Sequence, residues 1–406
     1  MKILSIIAQK ANSTGSGVYL SEIVRCLQKN GYEQEVICAS YENDKEEVKN
    51  NILIKYNKVF FDTQKLPMKI AGMSDVMPYE SIKYSDLAKN EELLYKWETA
   101  FSDTYVDVIN RFKPDLIICH HLYLLTAMVV NYVKENNIKC RIYGICHNTD
   151  LRQYQKTDLK RSFIKENIKK LDRIFAPSEE HKKKIVELYN IEECKIEVIG
   201  IGYNKDIFYM DDSLKNKKYK VHKLLYVGKV AKKKGVLSLV KSLQLVNHKD
   251  IVLDIIGGAG DKKEYDEILD EVKKIDCKIN IIGSMNQIEL AKQYNMHDIF
   301  ILPSFSEGIP MVPIEAMACG CKLVISNLPC VKNFYDKNIK DATIKYVKLP
   351  SLSNVDDAND IELALYEERL AKAIDECIDD KRMHLPKLQN LSWENIVESI
   401  ISKYWV

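Results

Sequence analysis

Ser306-Glu307-Gly308-Ile309-Pro310-Met311-Val312-Pro313-Ile314-Glu315-Ala316-Met317-Ala318-Cys319-Gly320 is the stretch that decides how this chain is read. The run before it, Asp298-Ile299-Phe300-Ile301-Leu302-Pro303, reads as a buried strand. Pro313 to Ala318 reads as a helix with Gly320 just past its end. Glu307 then stands at the C-terminal tip of a parallel strand, where open α/β sheets bind ligands. Glu315 falls about two turns further on, in the helix that follows. A helix N-terminus points N–H groups at an anion and favours negative charge. The spacing predicts one carboxylate on each side of a bound phosphate. The bland alternative makes Glu307 a helix-start acid and Glu315 a surface residue.

Upstream, Gly228-Lys229-Val230-Ala231-Lys232-Lys233-Lys234-Gly235 follows the strand-like Leu224-Leu225-Tyr226-Val227. Fixed cations at a strand end stabilise negative charge that grows on a bound anion, so Lys229 and Lys234 are candidate catalytic groups. Lys232 and Lys233 read as solvated. Near the start, Thr14-Gly15-Ser16-Gly17 follows the first strand and opens the first helix. Leu20 stands where a dinucleotide fingerprint needs its third glycine. Gly15, Ser16 and Gly17 are therefore read as an acceptor or phosphate loop, with a purely structural turn as the alternative. His147 closes the strand Tyr143-Gly144-Ile145-Cys146 and precedes Asn148-Thr149-Asp150-Leu151-Arg152. It is equally a ligand-facing group or a structural histidine. Asp150 and Arg152 join the acceptor-loop candidates. His120 and His121 end the preceding strand, either lining an acceptor pocket or serving the core.

Strands and helices alternate along the whole chain, which predicts parallel sheets covered on both faces. The expected strands include Lys2 to Ala8, Glu35 to Ala39, Asp115 to Cys119 and Asp172 to Ala176. The helices include Val18 to Asn30, Glu91 to Phe112 and a basic one from Lys160 to Leu171. Asn51 to Asn90 shows weak periodicity, and Gly72 to Tyr79 within it is a candidate acceptor loop. Asp211 to Tyr219 reads as a connection between halves.

The 406 residues suit two domains, and 46% hydrophobic with 29% charged residues suits a globular protein. A net charge of +2 argues against a nucleic-acid binder. The apolar run after Met1-Lys2 is too short for a signal or a membrane span, so a cytoplasmic protein is expected. The eleven cysteines include no Cys-x-x-Cys pair and read as reduced. Cys319 and Cys321, with no histidine nearby, make no zinc site, and no metal site is expected.

The glutamate pair and the glycine–lysine loop resemble the signatures of the retaining nucleotide-sugar glycosyltransferases of family 4, whose fold is GT-B. The resemblance implies an α/β architecture of two Rossmann-like domains facing across a cleft, with a C-terminal helix crossing back to the N-terminal domain. It divides the chain into 1–205, which binds acceptor, 206–385, which binds donor, and the helix in 386–406. It places Glu307 beside the transferred sugar and Glu315 on the ribose hydroxyls. Gly228, Gly308, Ile309, Pro310, Met311 and Val312 surround the donor, and Ile282 with Gly283 holds the base edge. His147 lies near the sugar. Lys229 stands where the family more often has Arg, which keeps the charge and loses the bidentate contact.

The implied donor is a UDP-sugar, used without a metal, and the implied acceptor is a hydroxyl on a glycan, a lipid-linked carrier or a small molecule. A lipid-linked acceptor would bring the basic helix against anionic membrane. Thr14 to Val18 and His147 to Leu151 faintly resemble the branch that adds N-acetylglucosamine to malate. A nucleotide-sugar epimerase or an inactive partner subunit of the same fold is the rival class. Both are disfavoured by the presence of Glu307, Glu315 and Lys234.

Overall fold

The computed structural model describes residues 1–44, 53–73, 81–215, 221–259, 261–351, 359–381 and 386–403. The chain forms two units, Met1–Gly200 with Trp393–Val406, and Ile201–Ser392. The first carries strands β1 (Lys2–Lys10), β2 (Glu33–Tyr41), β3 (Ile54–Phe61), β4 (Ala71–Gly72), β5 (Ile82–Lys83), β6 (Leu116–His120), β7 (Arg141–Ile145), β8 (Arg173–Ala176) and β9 (Ile196–Val198). Seven of them build one parallel sheet in the order β3-β2-β1-β6-β7-β8-β9, and β4 pairs with β5 alone. The interior of β1 is buried at every position, as expected for a strand covered on both faces. On one face lies the helix Glu91–Phe112, which buries Leu94, Trp97, Phe101, Tyr105, Val108, Ile109 and Phe112 at helical spacing. Asn90 caps its start, and Lys113 ends it in the left-handed conformation. On the other face, Leu20 and Val24 of the helix Gly15–Lys29 pack with Val36 and Cys38 of β2.

The second unit repeats the plan with β10 (His222–Val227), β11 (Ile251–Ile256), β12 (Lys278–Ile282), β13 (Ile299–Leu302), β14 (Lys322–Ser326) and β15 (Ile344–Val347). Its sheet is parallel, in the order β12-β11-β10-β13-β14-β15. Strand order therefore reverses between β1 and β6 in one unit and between β10 and β13 in the other. Carboxyl ends at such reversals are where doubly wound sheets bind ligands.

The final helix, Trp393–Ser402, belongs to the first unit although its sequence follows the second. Trp393 packs edge-on against Tyr19, with ring centroids 4.6 Å apart. Glu394 reaches Arg25 at 3.2 Å and Lys29 at 3.4 Å.

Several elements depart from expectation. The weak stretch after Asn51 contains β3, an edge strand whose Lys55 and Phe60 are exposed and whose middle is only half-buried. Edge exposure erased the apolar run that marks an interior strand. The helices Thr149–Lys156, Pro329–Asn338 and Asp360–Asp379, and strand β15, were not anticipated. The basic helix is shorter than expected, Arg161–Ile168. Three basic residues in or beside it are paired, Lys160 with Glu98 at 2.5 Å, Arg161 with Asp158 at 3.0 Å and Lys169 with Glu166 at 2.9 Å. Most of the candidate acceptor loop Gly72 to Tyr79 lies outside the described residues, as does the second half of the Asp211 to Tyr219 connection. Among the described residues no helix is long and apolar enough to cross a membrane.

One packing constraint in the second unit joins its two central strand ends. Gly235 has φ +70°, and a Cβ placed there would lie 2.0 Å from the Pro303 carbonyl oxygen. The Phe305 N–H donates to the Lys233 carbonyl at 3.2 Å. The turn Lys232–Lys234 is thereby fastened to the exit of β13. Gly235→Ala adds left-handed strain to a collision with backbone, and should lower the unfolding free energy by about 2 kcal/mol or more. Urea unfolding checks this; an unchanged midpoint would contradict the close approach.

Candidate active site

In the second unit the glycine–lysine loop and the glutamate loop meet at the reversal. Past β10, Gly228 adopts φ +157°, and a Cβ there would fall 2.7 Å from the Tyr226 hydroxyl oxygen. That hydroxyl donates to the Lys229 carbonyl at 2.7 Å. Because the Lys232–Lys234 turn is fastened to the end of β13, Lys234 Nζ reaches Glu307 Oε1 at 2.7 Å. Both side chains keep some access to solvent, 26% and 16%. Burial, and then the nearby Lys234 charge, pulls Lys229 down to about 8, with Glu307 opposing. An anion arriving here meets positive charge that is already partly desolvated, where electrostatic stabilisation is stronger than in water.

The loop carrying Glu307 is tethered from a different element. Cys330 Sγ lies 3.7 Å and 3.5 Å from the Glu307 and Gly308 carbonyl oxygens, to which its S–H donates. The Tyr335 hydroxyl donates to the Pro310 carbonyl at 3.1 Å. Both residues sit on the helix Pro329–Asn338. Within this loop Ile309 is buried, whereas Gly308, Pro310, Met311 and Val312 are partly exposed. Glu315, on the helix Val312–Ala318, is 6% exposed and accepts from the Tyr294 hydroxyl at 3.4 Å. Ile282 ends β12, and its carbonyl accepts from Gly257 N–H at 3.1 Å. A side chain at Gly283 would meet nothing within 4 Å, leaving that backbone open to approach.

In the first unit, the ends of β6 and β7 bring three imidazoles together. His120 Nδ1 and His147 Nε2 are 3.0 Å apart, with the rings stacked at 5.2 Å. The His121 ring lies 4.7 Å from that of His147, and Tyr19 stands edge-on to His147 at 5.0 Å. His121 and Asn148 both have positive φ, 71° and 67°. Both turns are held by Asp150, whose carboxylate accepts from the N–H groups of Leu122 at 2.7 Å, His147 at 3.2 Å and Leu151 at 3.1 Å. Asp150 is fully buried. It faces inward and fixes the loop that carries His147. Arg152, on the same helix, remains partly exposed. In the glycine loop, Gly17 N–H donates to Thr14 Oγ1 at 3.2 Å, and Ser16 Oγ lies 3.1 Å from that oxygen. A Cβ on Gly17 would lie 2.4 Å from the Lys10 carbonyl oxygen, so this glycine is a packing necessity. Gly15 has open space around it.

Sequence reasoning singled out both loops and His147. It missed Tyr226, Cys330 and Tyr335, which donate to backbone carbonyls of the two loops, Tyr294, which donates to the Glu315 carboxylate, and Tyr19, which reads simply as a core position of its helix. Among the described residues no group of three or more His, Cys, Asp or Glu could hold a metal ion.

Burial pulls His120 and His121 down to about 3, and burial beside them holds His147 well below the usual range. Neutral rings let His120 and His147 share one hydrogen bond, while His121 packs against His147 through its ring alone. The unfolded chain binds protons at these rings below about pH 6.5, and the folded chain does not. Their stabilising contribution is therefore complete above about pH 6.5 and is lost progressively as the pH falls below it. Melting temperature should fall steeply below about pH 6, and His121→Asn should flatten the slope. A profile unaltered by that substitution would contradict the buried neutral cluster.

The family described as "Glycosyltransferase Family 4" matches residues 13–206, and "Glycosyl transferases group 1" matches residues 208–385. A capsular polysaccharide biosynthesis glycosyltransferase of Staphylococcus aureus is 30% identical over 166 residues, 38% of this chain and 43% of that protein. The first curated relatives are matched over only about two fifths of their length. A broader match, 22% identical over 285 residues, covers 68% of this chain and 70% of the N-acetyl-alpha-D-glucosaminyl L-malate synthase of Bacillus anthracis. Among solved structures, the sucrose-phosphate synthase of Thermosynechococcus elongatus superposes with a TM-score of 0.69 at 17% identity, covering 100% of this chain and 98% of that one. The paired domain matches, back to back along the chain, and the two doubly wound sheets lead to one assignment: the chain belongs to the GT-B glycosyltransferases of the family 4, group 1 type.

Proposed function

We propose that the protein transfers a sugar from a UDP-sugar to a hydroxyl, with retention at the anomeric carbon and without a metal. The observation that carries this reading is the Lys234–Glu307 contact at 2.7 Å, with the desolvated Lys229 beside it. The bond between the anomeric carbon and the diphosphate oxygen breaks as the acceptor oxygen attacks from the same face. Lys229 and Lys234 take up the charge growing on the diphosphate, which accepts the acceptor proton. Glu307 orients the sugar, and Lys234 in turn orients Glu307. Glu315 meets the ribose hydroxyls, and Ile282 with Gly283 meets the base. His147 serves the sugar as a neutral hydrogen-bonding group. Eleven free cysteines favour a reducing compartment, the cytoplasm.

A small anionic acceptor is the favoured acceptor class. The broad match to a malate-using synthase supports it, and the paired charges around Arg161–Ile168 weigh against a membrane surface. Incubation of UDP-sugars with malate and other hydroxy acids, read as uridine diphosphate release and glycoside formation, tests this. Product with none of them, but with lipid-linked acceptors in vesicles, would replace the small acceptor.

Lys234→Ala should lower kcat by about 100-fold or more while the melting temperature holds. Unchanged turnover would remove the donor-site assignment. Because Lys229 sits near 8, its charge fades as pH rises past that value. Calorimetry should show uridine diphosphate binding weaken above about pH 8, and Lys229→Arg should remove that decline, since Arg keeps its charge. Binding that is flat with pH in both proteins would count against Lys229 as a phosphate ligand.

A further inference from the structure

Trp393, Tyr19 and His147 form an unbroken line of rings within the first unit. Trp393 opens the C-terminal helix and is 1% exposed. Its ring meets that of Tyr19 at 4.6 Å and 75°. Tyr19, 5% exposed on the helix Gly15–Lys29, meets His147 at 5.0 Å and 89°. Beyond it, His147 leans on His120, the last residue of β6, and on His121, which follows it, both buried. Two of the three rings around His147 thus stand on the sheet end. The third stands on a helix whose outer support is the C-terminal helix.

Edge-to-face ring pairs are directional, so the plane of Tyr19 depends on what stands behind it. Glu394, the next residue, grips Arg25 and Lys29 on the same helix as Tyr19. Those ion pairs are partly exposed and fasten the helix ends weakly. Ring packing, rather than charge, sets where Tyr19 stands.

We propose that Trp393 is a positioning residue for His147: by fixing the plane of Tyr19 it sets how far the imidazole reaches toward the substrate. The proposal rests on the reading of His147 as a group that serves the sugar. Small displacements of such groups cost rate far more than affinity, which gives the proposal its signature.

The test records the His147 ring signals by NMR, together with uridine diphosphate release from a UDP-sugar and uridine diphosphate affinity. Trp393→Leu should move the His147 signals and lower kcat about tenfold, with affinity for uridine diphosphate unchanged. Trp393→Phe, which keeps an aromatic edge, should recover most of the rate. Glu394→Gln loosens the helix without touching the rings and should leave the signals in place. If Trp393→Leu does not fold, Tyr19→Leu removes the middle ring and must move the same signals. Unmoved signals, or a rate loss no greater than that of Glu394→Gln, overturn the proposal. Full activity in His147→Ala would instead remove the role of His147, and the ring signals would still decide whether Trp393 positions it.

Discussion

The contact between the Lys232–Gly235 turn and the exit of β13 is the constraint on which the charged cluster of the second unit depends. A parallel sheet buried on both faces leaves few backbone groups or side chains for a ligand except at its carboxyl ends. At the reversal the two central strand ends diverge into separate loops, and something must hold those loops together. Here glycine does it, by letting backbone approach backbone at Pro303. The ammonium of Lys234 and the carboxylate of Glu307, 73 positions apart, are brought into contact as a result.

The first unit solves the same problem with a different chemical group. Its β6 and β7 ends are joined by the Asp150 carboxylate, which gathers N–H groups from both turns. The electrostatic outcome is opposite. One strand-end cluster concentrates charge, with two lysines and a glutamate in mutual range. The other concentrates uncharged imidazole, because burial excludes the proton. The former suits a group that carries negative charge, and the latter suits an uncharged hydrogen-bonding group.

What the sequence revealed was local. The glutamate spacing, the two glycine loops and the helix from Glu91 to Phe112 are written in neighbouring residues, and the structure forms them close to where they were expected. Strand β3 was illegible because an edge strand interleaves Lys and Asn with apolar residues. Asp150 reads in the sequence as an acceptor-loop residue, and only the fold shows its carboxylate gathering N–H groups from two strand-end turns. Cys330 and Tyr335 gave no signal, since a tether to another loop's carbonyls depends on where that loop passes. Gly17 and Gly15 looked alike in sequence; a carbonyl 2.4 Å from the missing Cβ tells them apart.

The chain leaves its first unit at Gly200 and returns to it at Trp393. Folding unit and contiguous gene segment are therefore different things in this protein. A fragment ending at residue 200 would present Tyr19 and its neighbours without their cover, as an apolar scar inviting aggregation. Chimaeras that exchange halves between relatives need two crossover points, so that the last helix travels with the N-terminal half. Recombination with one crossover would pair each helix Gly15–Lys29 with a foreign Trp393 counterpart, and such hybrids inherit a mismatch far from the junction itself.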